Sequence, residues 1–138
     1  MMLFAASRQP TVRPASTLID ASGGSFTAAV LSHPNVTFTA PGEATFSLTG
    51  ADTAQAPLST LAPSTNFHLR FNVVSLEAGH TYQAVVQDGI TSIGFINVNG
   101  TGSHAGGFTT PGDASNVNVE FSGTGGTMIV TGFDIVQV

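Results

Sequence analysis

Chemistry in this 138-residue chain has few side chains to draw on: eight carboxylates, four histidines, three arginines, one tyrosine, and no cysteine or lysine. The acids are Asp20, Glu43, Asp52, Glu77, Asp88, Asp113, Glu120 and Asp134. Most fall at turns or on outward strand positions, where a solvated acid is the default. Glycoside hydrolysis needs two carboxylates facing each other across a cleft, and nothing in the spacing points to such a pair. His33, His68, His80 and His104 show neither the helical i, i+4 spacing of a zinc protease nor a His-x-His strand pair. Serines are plentiful, but no Gly-x-Ser-x-Gly elbow is present. The chain is therefore expected not to be an enzyme, and no cofactor is expected.

The stretch VNGTGSHAGGF (98–108) looks most like a binding loop. A phosphate cradle would need a following helix N-terminus or a lysine, and a lone His104 is too little for a metal. The stretch reads as a long, mobile inter-strand loop in which Asn99 and His104 contact a neighbouring molecule, since loops at the ends of a β-sandwich carry such contacts. Asn35-Val-Thr37 and Asn99-Gly-Thr101 match the glycosylation acceptor pattern, as chance alone would produce in a chain this rich in threonine.

These residues must be positioned by strands. From residue 25 onward, apolar and polar residues alternate with period two, and no helical stripe of useful length occurs. NVTFTA (35–40), ATFSLT (44–49), FHLRFNVV (67–74), TYQAVVQ (81–87), ITSIGFINV (90–98), NVNVEF (116–121) and TMIVTGFDIVQV (127–138) read as strands, and FTAAVL (26–31) as another. Asp88-Gly89 is a hairpin signal, Gly94 a candidate bulge, and residues 50–66 a long connection with a short strand or turn near Leu58 and Leu61. The last segment is apolar on both faces, which places it in mid-sheet or under the arm. Tyr82 alternates with Ala84 and Val86, so it is expected in the core. The expected fold is all-β: an antiparallel β-sandwich or jelly roll over residues 25–138. The ten phenylalanines mostly take inward phases, and each contributes about 2–3 kcal/mol when fully buried.

Residues 1–24 differ, with two prolines, two of the three arginines and no sustained period. They read as an extended N-terminal arm in which Leu3, Phe4, Arg8 and Arg13 serve assembly. Arg8 and Arg13 against Asp20 give the arm +1, whereas Arg70 against seven acids gives the remainder −6. A cationic arm and an anionic body favour contact between copies. Charged residues are only 8% of the chain, against about 25% in ordinary soluble domains. A surface this poor in charge is weakly protected against association. The net charge of −5 argues against nucleic acid as a partner. No apolar run approaches the ~20 residues of a membrane-spanning helix, and MMLFAASRQP lacks the basic start and apolar length of a signal peptide.

The segments FHLRFNVVSLEAGHTYQAVV and GGFTTPGDASNVNVEFSGTGGTMIVTGFDIVQV resemble carbohydrate-binding-module-like jelly rolls, including those of bacteriophage virion proteins such as capsid decorations, head fibres and tail appendages. The resemblance covers roughly the C-terminal half. It implies a virion structural protein, most directly a capsid decoration or accessory protein on the particle surface. Such a protein would be anchored to the major capsid protein through its arm and would associate into a cyclic homo-oligomer such as a trimer. The alternative it implies is a carbohydrate- or host-receptor-binding module of a tail or secreted protein, holding a surface glycan. The absence of tryptophan and the single, core-phased Tyr82 stand against an aromatic sugar platform. The resemblance also implies a structural calcium tying the terminal strands through Asp20 and Asp134, although two acids are a thin set for an ion that takes about 6–8 oxygens.

Overall fold

Alternating burial along each strand builds two sheets that close on one core. The computed structural model describes residues 33–40, 43–58 and 61–138. The first strand is β1 (Val36–Ala40), followed by β2 (Glu43–Phe46), β3 (Thr53–Pro57), β4 (Asn66–Leu76) and β5 (Tyr82–Asp88). Then come β6 (Thr91–Val98), β7 (Gly102–Thr109), β8 (Val117–Gly123) and β9 (Met128–Gln137). Every pairing is antiparallel. One sheet runs β1-β2-β9-β4-β7 and the other β3-β8-β5-β6. No helix occurs among the described residues. The arm, including Leu3, Phe4, Arg8 and Arg13, lies outside them, as do FTAAVL and Asp20.

Phe67, Leu69, Phe71 and Val73 of β4 are buried on one face, while His68 and Arg70 are exposed on the other. Phe46, Phe71, Phe121 and Phe133 form the centre of the core, with ring centroids 5.0 Å apart for Phe46–Phe121 and 5.3 Å for Phe71–Phe133. The last strand, β9, lies in mid-sheet between β2 and β4. Its apolar residues occupy both phases because the phase changes within it. Gly132 has φ +68°, and the register to β4 shifts between Thr131 and Asp134. Met128 and Val130 point inward before this bulge, and Phe133 and Ile135 after it.

Two expectations need correcting. The glycine-rich stretch 99–107 is not a long loop. Only residues 99–101 form the turn, and Gly102–Thr109 is β7, the edge strand paired along its whole length to β4. Its glycines allow the edge strands of the two sheets to approach. A Cβ on Gly106 would lie 2.6 Å from Ile96 Cγ1, and one on Gly94 2.8 Å from the Gly107 carbonyl oxygen. The long connection 50–66 contains β3, whose alternation of Ala54 and Ala56 is too weakly apolar to stand out. Leu58 and Leu61 follow it and are both buried, with the Leu61 N–H donating to the Leu58 carbonyl at 3.3 Å.

Candidate functional site

The outer face of the four-stranded sheet carries polar side chains in rows set by the strand register. One row crosses all four strands as Thr53, Ser122, Gln83 and Asn97; the next runs Gln55, Glu120, Val85 and Phe95. Within these rows Gln83 Nε2 donates to Asn97 Oδ1 at 2.9 Å, and Gln55 Nε2 donates to Glu120 Oε2 at 2.7 Å. Phe95 breaks the inward rule and is 58% exposed. Its orientation follows from its neighbours. Gly94 occupies the inward phase where β7 crosses too closely for any side chain, and Ile96 and Val98 are buried. Phe95 is therefore left facing solvent beside Val85. The register irregularity of this hairpin lies at Ile93, immediately before Gly94.

At one end of the rows the face deepens into a cleft of about 370 Å³ lined by Gly50, Thr81, Gln83, Asn97, Asn99, Ser122 and Thr124, with Tyr82 and Gly123 at its base. Four connections between strands form its rim, and those bearing Gly50, Thr81 and Thr124 are pinned. Thr124 Oγ1 accepts the Thr81 N–H at 3.1 Å, and the Thr124 N–H donates to the Thr81 carbonyl at 3.0 Å. Glu77 Oε1 accepts the Thr127 N–H at 3.1 Å. In the loop bearing Gly50, the Asp52 carboxylate accepts from the Thr49 hydroxyl at 3.1 Å and from Asn35 Nδ2 at 3.1 Å. Hydrogen bonds from the Thr49 hydroxyl and N–H, with a smaller contribution from Asn35, hold the Asp52 carboxyl below its ordinary value.

Tyr82 supports the base of the cleft. Its hydroxyl accepts the Leu48 N–H at 2.9 Å and lies 2.7 Å from the Gly126 carbonyl and 3.2 Å from that of Phe46. One buried hydroxyl thus ties three segments together, and burial raises its pKa above the ordinary tyrosine value. Gly123 lies against the ring so closely that a Cβ there would be 2.6 Å from Tyr82 Cε2.

The residues singled out in the sequence are scattered. Asn99 lines the cleft from the β6–β7 turn. His104 belongs to the other sheet, where its ring stacks on Phe71 at 5.8 Å with 16° between planes and its Nδ1 lies 3.0 Å from the Gly102 carbonyl. The structure does not bring the two together. Asp134 pairs with Arg70 across β9 and β4. Among the described residues no cluster of three histidines or acids is arranged to hold a metal ion, and Asp20 lies outside them. Phe95, Gln83, Asn97 and Gln55 were missed. The available signal was ITSIGFINV itself, whose apolar residues on both phases require one of them to face outward.

No family model matches the chain, and no curated protein matches it. Solved structures share its fold. The CBM22-1–GH10 modules of xylanase 10B from Clostridium thermocellum superpose with a TM-score of 0.59 at 12% identity, covering 91% of this chain and 28% of that one. The C-terminal CBM6 of the LamC laminarinase from Zobellia galactanivorans gives 0.55 at 16% identity, over 79% of this chain and 94% of that one. The enzymatically active domain of tailspike protein 4 from bacteriophage CBA120 gives 0.58 at 14% identity, over 89% of this chain and 22% of that one. The chain shares with these structures a two-sheet antiparallel jelly-roll fold.

Proposed function

We propose that this protein is a non-enzymatic carbohydrate-binding module that holds an uncharged glycan on the outer face of its four-stranded sheet. The observation that carries the reading is an exposed aromatic ring, Phe95, on the same face as a cleft lined by amides and hydroxyls and by no charged side chain. Sugar hydroxyls both donate and accept, and Asn, Gln, Ser and Thr offer both roles in return. An aromatic face suits the apolar side of a pyranose ring, as binding sites combine apolar surface with a few placed polar groups. The row from Thr53 to Asn97 spans three inter-strand gaps, about 14 Å, enough for a short oligosaccharide. The carbohydrate-binding modules among the structural neighbours support the reading.

Titration calorimetry against a panel of neutral oligosaccharides tests it. Phe95→Ala and Asn97→Ala are each expected to weaken binding roughly tenfold or more, on the scale of ~1.4 kcal/mol per decade. His68→Ala, on the opposite sheet, should leave binding unchanged. A panel without a ligand, or equal losses from both faces, rejects the proposal.

The low charge, 8% of residues, favours a second reading in which the module is part of a virion surface and associates with itself and with capsid protein. The tailspike domain among the structural neighbours is compatible with that setting. Removing residues 1–20 would then leave the sandwich folded and abolish incorporation into particles. Normal incorporation of the truncated protein excludes this reading.

A further inference from the structure

One asparagine on the rim of the cleft differs from the other six in the chain. Asn35, Asn72, Asn97, Asn116 and Asn118 each precede valine, and Asn66 precedes phenylalanine. Asn99 precedes Gly100. The difference matters because an asparagine side chain can be attacked by the backbone nitrogen of the next residue. A β-branched neighbour crowds that nitrogen and stiffens the chain around it, whereas glycine leaves it open and gives the backbone its widest freedom. The surroundings reinforce the difference. Asn66, Asn72, Asn97 and Asn118 lie within strands, and Asn35 is hydrogen-bonded to Asp52. Asn99 is exposed in the three-residue turn between β6 and β7, and a Cβ on Gly100 would meet nothing within 4 Å.

We infer that Asn99 is a site of spontaneous deamidation, and that its conversion places a carboxylate on the rim of the glycan cleft. The Gly100 nitrogen forms a bond to Asn99 Cγ as the Cγ–Nδ2 bond breaks. Nδ2 leaves as ammonia, carrying the proton lost from the Gly100 N–H by way of water. A second water opens the resulting five-membered imide at either carbonyl. The product is aspartate, or its isomer in which the main chain runs through the former side chain and is one methylene longer. No oxidant or reductant is involved.

The consequence rests on the glycan reading. The cleft loses both N–H donors of the Asn99 amide, and a cleft without charged side chains gains an anion. In the isomer, the short turn that carries the chain from one sheet to the other also lengthens. Loss of a ligand hydrogen bond of about 1–1.5 kcal/mol corresponds to roughly tenfold weaker binding.

The test is to hold the folded, full-length protein in mildly alkaline buffer and follow it by anion exchange and peptide fragmentation mass spectrometry. The expected result is a growing acidic species whose amide-to-acid change maps to Asn99 before any other asparagine. Asn99→Gln and Gly100→Val should suppress that species, with circular dichroism confirming that both variants are folded. A wild-type chain that stays a single species, or an acidic species mapped elsewhere, overturns the inference. The separated acidic form should then bind the neutral oligosaccharide roughly tenfold more weakly than fresh protein. Equal affinity of the two forms overturns the coupling to the cleft. Failure of fresh protein to bind any glycan counts against the glycan reading and leaves the mass result to decide the chemistry.

Discussion

Tyr82 is the residue on which the cleft and the core both depend. Its buried hydroxyl bonds to backbone groups of Leu48, Phe46 and Gly126, so Tyr82→Phe leaves buried polar groups without their partner. That loss costs about 1–3 kcal/mol, and urea unfolding should show a lower midpoint with an unchanged slope. The same burial sets a pH dependence. Burial raises the folded pKa above the unfolded value near 10, so the folded state favours the neutral phenol. The stabilisation is fully present below pH ~10 and is lost as pH rises through the folded pKa. Because the chain has one tyrosine and no tryptophan, ultraviolet difference absorbance reports this ionisation without interference. An ionisation midpoint in the folded protein equal to that of the urea-unfolded chain would contradict it. Phe95 is the opposite case: exposed and outside the core. Phe95→Ala should therefore change stability by no more than about 0.5 kcal/mol while weakening glycan binding roughly tenfold or more.

At the level of elements, strand phase was readable and close approach was not. Phe67, Leu69, Phe71 and Val73 share one face of β4 as their alternation required, and Tyr82 is buried as its phase implied. The hairpin signal at Asp88-Gly89 was real, although the two central residues are Gly89 and Ile90, with Gly89 at φ +64° as a type II′ turn requires. The stretch NGTGSHAGG looked like a loop because glycine serves two opposite purposes: it frees a turn, and it removes a side chain where two backbones meet. In β7 it does the second, and only the path of β6 beside it reveals that. The same contact turns Phe95 outward, so the candidate site was illegible until both edge strands were placed. Gly94→Ala and Gly106→Ala should each cost about 1–3 kcal/mol by overpacking, because their new Cβ atoms would collide with β7 backbone and with Ile96. Gly50→Ala, which would meet nothing within 4 Å, should stay within about 0.5 kcal/mol. Thermal melts of the three variants separate crowding from a general intolerance of glycine replacement.

At the scale of the whole molecule, the distribution of charge decides which ligands can approach. The chain carries −5 overall, Arg70 is the one arginine among the described residues, and it is paired with Asp134 on the five-stranded sheet. The opposite face has no cation among its described residues to attract an anionic polymer, and the field of the body repels one. A neutral glycan is indifferent to that field. Its binding is predicted to be independent of ionic strength between low and near-molar salt, because screening acts only on interactions between charges. An anionic glycan of similar length should bind more weakly than the neutral one at low salt and bind better as salt screens the repulsion. Calorimetric titrations of one neutral and one anionic oligosaccharide across a salt series distinguish the two cases. Affinity for the anionic chain that falls with added salt would point to a cationic site and would relocate binding away from the face bearing Phe95.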